Sequence, residues 1–133
     1  MQTVAQHQVM AAVRQFVDGV NRNDLKSATA ACAPQSSVID EFPPHFWQGD
    51  GCAQWATDFQ AANKAQGITD VTVTLFVPTR VAVDGNTAYV VAPANDTYKQ
   101  HGKPVTESGA TFTVALKRIA GSWKIVAWAW AAH

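Results

Sequence analysis

Asp70-Val71-Thr72-Val73-Thr74-Leu75-Phe76-Val77-Pro78-Thr79-Arg80-Val81-Ala82-Val83-Asp84-Gly85-Asn86 is the stretch where the chain changes its period. Val71, Val73, Leu75, Val77, Val81 and Val83 alternate with Thr72, Thr74 and Arg80, so apolar side chains fall on one face of an extended backbone and predict strand. Asp84-Gly85-Asn86 then signals a tight hairpin. The same kind of signal returns at His101-Gly102-Lys103 and at Ala120-Gly121-Ser122, which divides the C-terminal half into four long strands expected to follow one another antiparallel.

Upstream of Asp70 the spacing is helical. Thr3 followed by Gln6 has the form of a capping box, and Val9, Val13, Phe16, Val17 and Val20 recur along one helical face. Asp24 can cap a short second helix whose packing stripe is Leu25, Ala28, Thr29 and Cys32, ahead of Pro34. Ser36 to Phe42 is a strand candidate stopped by Pro43-Pro44. A third helix starts at the capping candidate Asp50, carries Cys52, Trp55, Phe59 and Ala62 on one face, and ends at Gly67. Helices first and a meander last predict an α+β class, with three N-terminal helices packed on one face of a curved antiparallel β-sheet and a pocket enclosed between them. No linker or repeat interrupts the order, so residues 1–133 are expected to form a single domain.

Composition narrows the function classes. The chain is 47% hydrophobic and 15% charged, too apolar for disorder, and it has no long uninterrupted apolar run to span a membrane. Ten Lys and Arg balance ten Asp and Glu without runs of either sign, so neither nucleic acid nor a membrane surface is an expected partner. Residues 1–7 lack the charged start and apolar stretch of a secretory signal, which makes the expected location cytoplasmic. Cys32 and Cys52 both fall in helical patterns without metal-ligand spacing and are expected to be separate small buried hydrophobes rather than a disulfide.

Phe16-Val17-Asp18-Gly19-Val20-Asn21-Arg22-Asn23-Asp24-Leu25 and Ser37-Val38-Ile39-Asp40-Glu41-Phe42 resemble the SnoaL-like and ketosteroid isomerase-like branch of the nuclear transport factor 2-like superfamily. The resemblance continues through Trp47-Gln48-Gly49 and Gly121-Ser122-Trp123-Lys124-Ile125 as a layout of nearly the whole chain. It implies a cone-shaped α+β barrel with a pocket for an apolar small molecule, no cofactor, and Asp40 at the place of the isomerases' general base. Those enzymes hold the developing oxyanion with a tyrosine and a protonated aspartic acid; the matching positions here are Phe16 and Val114, which donate no side-chain hydrogen bond. Steroid isomerisation by that route is therefore not expected, since loss of one such donor typically costs about a hundredfold or more in rate.

Strand parity extends the pocket. Phe112, Val114 and Leu116 share one face, as do Val126, Trp128 and Trp130, and the resemblance places Trp128 and Trp130 at the cavity wall. Ordinary core packing is the competing reading for both indoles. Ala92, Ala94, Asp96 and Tyr98 share the corresponding face of the neighbouring strand if no bulge intervenes, which pairs Asp96 with Asp40 for proton transfer; a bulge near Pro93 or a frayed strand end leaves Asp96 in solvent instead. With Phe16, Trp55 and Phe59 from the helices, these residues form the expected ligand wall. His45, Phe46 and Trp47 are expected in the loop at the pocket mouth, His45 either contacting ligand or simply exposed. Asp40, Glu41 and His45 lack a recognisable metal-ligand spacing, so no metal is expected.

Three functions compete: proton transfer on an apolar carbonyl compound by Asp40, ligand binding without chemistry, and a dimeric interaction domain whose tryptophans fill the cavity. A homodimer is expected through the sheet face opposite the helices, where Tyr89, Val91 and Pro93 lie beside Thr111, Thr113 and Ala115.

Overall fold

Thr3 and Gln6 form the reciprocal capping pair, Gln6 N to Thr3 Oγ1 at 3.1 Å and Thr3 N to Gln6 Oε1 at 2.8 Å. In the computed structural model, which describes residues 2–133, this pair opens α1 (Val4–Asn21). The amide of Gln6 also donates to Val81 O at 2.9 Å, so the cap pins the helix start to the sheet. At the other end Asn21 pairs with the backbone of Val73 in both directions, at 2.8 and 2.7 Å, as a neighbouring strand would. Between these two anchors Val9, Val13, Phe16, Val17 and Val20 are buried, and α1 lies across the sheet at a set height.

Gly19 allows α2 (Leu25–Ala30) to pack closely, because a Cβ there would meet the backbone of Ala28. The chain then enters β1 (Cys32–Ile39), crosses a turn with a cis Pro43-Pro44 bond to β2 (Phe46–Trp47), and forms α3 (Gly51–Ala65). Cys32 and Cys52 form a disulfide, which corrects the expectation of two separate thiols. The helical reading of Cys32 failed because α2 stops at Ala30; Cys32 opens β1 and stands over the first turn of α3, with Cα atoms 6.5 Å apart, an ordinary separation for a bridge. The same junction corrects the role of Asp50. Its side chain makes no capping bond and instead accepts one from Gln54, while the buried Ser36 hydroxyl accepts from Cys52 N at 3.0 Å. A side chain at Gly51 would collide with the Ser36 carbonyl, so α3 starts with its backbone against β1.

Five strands follow: β3 (Ile68–Leu75), β4 (Arg80–Asp84), β5 (Thr87–Gln100), β6 (Lys103–Ile119) and β7 (Ser122–Ala131). The three hairpin signals all mark turns between consecutive strands. The alternating stretch from Val71 to Val83, expected as one strand, is divided into β3 and β4, which both pair with β5. Pro78 lacks the N–H a continuous ladder needs, and Phe76 and Val77 are exposed at the break.

The sheet order is β2-β1-β7-β6-β5-β3, with β4 also on β5. β1 runs parallel to β7, Val38 opposite Trp128 and Ile39 opposite Ala129, so the expected antiparallel sheet is a mixed one. Nor is the barrel closed: the order ends at β2 and β3, and α1 and α3 cover the open side. Two register shifts decide what faces inward. Ala115 pairs with Ala127 but Leu116 with Ile125, so Val126 is an extra residue, and the inner row of β7 is Trp123, Ile125, Trp128 and Trp130, without Val126. Ala94 pairs with Ala110 but Asp96 with Glu107, leaving Asn95 alone opposite Ser108 and Gly109. Gly109 sits at φ +76°, a conformation that favours glycine, and donates to Asn95 Oδ1 at 3.2 Å. Among the described residues no helix is long and apolar enough to cross a membrane.

Candidate active site

The inner sheet face, α1 and α3 enclose a cavity of about 170 Å³. Aromatic rings form its wall. Phe16 of α1 stands 5.2 Å from Trp128 and 5.6 Å from Trp55, Trp55 stacks on Phe59 at 4.7 Å, and Trp55 meets Trp128 edge-on at 4.9 Å. Phe112 and Trp130 continue the wall along β6 and β7, 6.2 Å apart. Ile68, Val71 and Val73 of β3 add aliphatic surface on the side that Asn21 ties to α1.

Asp40 enters this wall just past the end of β1. Its Oδ2 accepts from Trp55 Nε1 at 2.8 Å and its Oδ1 from Glu41 N at 2.7 Å. Burial raises the carboxyl to about 6, outweighing both hydrogen bonds, which favour the charged form; Glu41 adds repulsion and His45 a smaller attraction. The group is oriented by α3 and poised to exchange a proton near neutrality.

Asp96 faces the same cavity from β5 and is raised to about 7, by burial first and then by the charges of Glu107, Glu41 and Asp40. Its Oδ1 has no hydrogen-bond partner among the described residues. Glu107, opposite it on β6, is also raised, by burial and by Glu41, against a hydrogen bond from Tyr98 OH at 3.4 Å. Burial raises Tyr98 as well, with Glu107 and Asp96 adding to it. Trp130 Nε1 donates to Glu41 Oε2 at 2.9 Å. Four carboxyl groups therefore meet at one cavity, two of them held by indole N–H groups.

A model of the SnoaL-like domain matches residues 9–130, which is nearly the whole chain. The chain belongs to the SnoaL-like domain family. The fold of this SnoaL-like domain is similar to that of a ketosteroid isomerase-like protein from Erwinia carotovora atroseptica SCRI1043, with a TM-score of 0.79, 15% identity and 98% of each chain covered. It is also similar to a nuclear transport factor 2-like superfamily protein from Salmonella enterica serovar Typhimurium LT2, with a TM-score of 0.79 and 16% identity over 96% of this chain and 89% of that one. A nuclear transport factor 2-like protein of unknown function from Pseudomonas putida KT2440 gives 0.76 and 15% identity over 100% of this chain and 89% of that one. At these identities the likeness is one of fold. No curated protein matches the chain in sequence.

Of the residues singled out in the sequence, Asp40, Asp96, Phe16, Trp55, Phe59, Tyr98, Phe112, Trp128 and Trp130 all line the cavity of this SnoaL-like domain. Val114 does not. It is fully buried between the backbone neighbours Val90 and Trp128, inside the core beneath the wall. His45 is not part of the wall either: at φ +72° it is exposed, with its ring Nδ1 3.1 Å from Asp40 O. Trp47 packs against Phe42 and donates to Asp58 Oδ2 at 2.8 Å, away from the cavity, and Phe46 lies on the opposite sheet face.

The sequence reading missed Glu107, and it considered Glu41 only as a metal ligand. Strict alternation assigns Glu107 to the outer row of Thr111 and Thr113, and the bulge at Gly109 turns it inward. A glycine inside an apolar strand pattern was the available signal.

Proposed function

We propose that this SnoaL-like domain binds a compact, mostly apolar carbonyl compound between its helices and sheet and moves a proton on it without a cofactor, an isomerase-, cyclase- or lyase-type reaction. Asp40 is the general base in this reading and Asp96 its acidic partner. The observation that carries it is the Asp40 carboxyl, raised to about 6 inside an aromatic cavity and fixed by Trp55 Nε1 at 2.8 Å. A carboxylate of that basicity is a better acceptor than an exposed one, and its hydrogen bond to Trp55 limits the orientations it can take.

In the step proposed, the C–H bond beside the carbonyl breaks, its proton goes to Asp40, and the electron pair moves through the new C=C bond onto the carbonyl oxygen. The Asp40 proton is then returned to another carbon, which completes an isomerisation. Phe16 offers the oxyanion nothing, so the side chains left to donate at the cavity are the neutral Asp96, Trp128, Asn63 and Gln66, with Tyr98 OH already turned to Glu107. The weaker donor set favours a second reading, a module that holds its ligand unchanged.

Deuterium uptake from solvent into candidate ketones, followed by NMR, tests the proposal. Uptake should rise with pH through about 6 as Asp40 ionises and decline above about 7 as Asp96 loses its proton. Uptake unchanged in Asp40→Asn would remove Asp40 as the base, and binding without any uptake in the parent would leave only the binding reading.

A further inference from the structure

Besides its aromatic wall, the cavity has an unbalanced electrostatic character. Asp40, Glu41, Asp96 and Glu107 all line it, and among the described residues no lysine, arginine or histidine does. The other polar side chains there, Asn63 of α3 and Gln66 just past its end, are uncharged, and His45 acts on Asp40 from outside the wall. The remaining titratable group facing the cluster is Tyr98, which donates to Glu107. Asp40 and Asp96 are partly withdrawn from water and Glu107 and Glu41 stand nearer the mouth, so the two inner carboxyls feel their neighbours' charge more strongly than they would in open solvent.

We propose that the cavity selects an apolar ligand that carries a cationic nitrogen, a protonated amine or a quaternary ammonium, held by Asp96, Glu107 and Glu41 and by the aromatic rings of the wall. The inference rests on the proton-transfer reading for the cavity and for Asp40 as base, and narrows its substrate class; it takes Asp96 out of the acid's role, because a cation bound beside Asp96 keeps it ionised. Three independent features converge on it. Positive charge would stabilise the carboxyl cluster, and among the described residues the protein supplies none at the wall. Trp55, Trp128, Trp130, Phe16 and Phe59 line the space, and an aromatic ring that turns a face to a bound cation attracts it, the more so when the cation is desolvated. And the two buried side-chain polar atoms left without a partner among the described residues, Asp96 Oδ1 and Trp128 Nε1, belong to residues of this wall; Trp128 itself is 96% buried, from its 4% exposure. A protonated amine donates an N–H to the first while a quaternary nitrogen meets it through charge alone, and an oxygen elsewhere on the ligand accepts from the second.

A metal ion is the other way to compensate carboxylates, but among the described residues no three His, Cys, Asp or Glu side chains are placed to hold one. Protonation is the third. Asp96 at about 7 and Asp40 at about 6 would then serve as neutral acids toward a ligand oxygen. The two remaining arrangements differ in sign: a cation expels protons from the cluster on binding, whereas an uncharged carbonyl compound retains them.

Phenyltrimethylammonium separates them, because its charge does not change with pH, and tert-butylbenzene is its uncharged isostere. Both are titrated into the full chain by tryptophan fluorescence at about pH 5 and about pH 8. The expected result is that the cation binds at least about tenfold more tightly than the isostere at the higher pH, and loses that advantage at the lower. Calorimetry in buffers of different ionisation enthalpy should show protons released near neutrality. Asp96→Asn combined with Glu107→Gln should abolish the preference while the melting temperature stays at or above the parent's. Equal affinity for the two probes at pH 8, binding of neither, or a cation affinity that does not rise with pH overturns the inference. If Asp40-dependent deuterium uptake persists in that event, the proton-transfer reading stands without it.

Discussion

Glu107 stands directly opposite Asp96 across the β5–β6 ladder, and it points into the cavity because one extra residue at Gly109 reverses the alternation of β6. The pair helps explain why Asp96 is raised further than Asp40: it lacks the hydrogen bonds that hold Asp40 down, burial is the first cause of its rise, and the Glu107 charge the second. Glu107→Gln removes that charge and keeps the shape. The Asp96 carboxyl should then titrate clearly below 7, by about one unit, in a carbon-detected NMR titration. An unchanged midpoint would mean that burial alone sets it.

The same shift makes a stability prediction. Asp96 binds its proton more tightly in the fold, at about 7, than in the unfolded chain, at 3.8, so between these values the native state holds the extra proton. Stability therefore falls as pH rises from about 4 to about 7 and levels off above, and Asp40, raised to about 6, contributes in the same direction. Asp96→Asn removes the titration. It should stabilise the protein at pH 8 by on the order of 1–2 kcal/mol, discounted because the group is partly exposed, and change little at pH 4.5. Urea unfolding at the two pH values measures both.

Trp55 serves two purposes, as a cavity wall and as the donor that restrains the Asp40 shift. Trp55→Phe keeps an aromatic wall but removes the N–H. The Asp40 midpoint should move above 6, and the rising limb of the deuterium-uptake profile should move with it by about one pH unit. A truncation that only loosened the wall would weaken ligand binding and leave that midpoint in place.

The Cys32–Cys52 bridge joins the start of β1 to the first turn of α3, the helix that carries Trp55 and Phe59. Under denaturing conditions without reductant no free thiol should react. Reduction should lower stability by about 3 kcal/mol for a closed loop of this length, with the loss visible as a drop in melting temperature. The two thiols reacting freely in the unreduced chain would remove the bridge from the account.

What was legible in the sequence is what depends on local period. Val9 to Val20 and the hairpin signals at Gly85, Gly102 and Gly121 placed α1 and three turns, and with Phe16, Trp128 and Trp130 they placed most of the wall. What was not legible depends on chain segments far apart. The parallel pairing of β1 with β7 has no local signature, and the disulfide required knowing that Cys32 leaves α2 and meets α3. Val126 was misplaced and Glu107 missed for one shared reason: an extra residue in a strand moves the side chains beyond it to the other face, and only the ladder reveals which residue it is.

The sheet face opposite the helices carries the last prediction. Ile39, Phe46 and Tyr89 are 53%, 51% and 44% exposed there, and they border a shallow depression floored by the small residues Ala115, Ala127 and Ala129. Large side chains around a floor of alanines form a surface that a second copy can fill with its own Ile39, Phe46 and Tyr89 about a two-fold axis, so one self-complementary patch suffices. Contiguous exposed apolar surface of this kind is rarely left in water. Light scattering at micromolar concentration should therefore give twice the 14.3 kDa of the chain, and Tyr89→Glu, which places two like charges near the axis, should return it to the single-chain mass with the fold intact by circular dichroism. A parent protein that scatters as a 14.3 kDa monomer sinks the prediction.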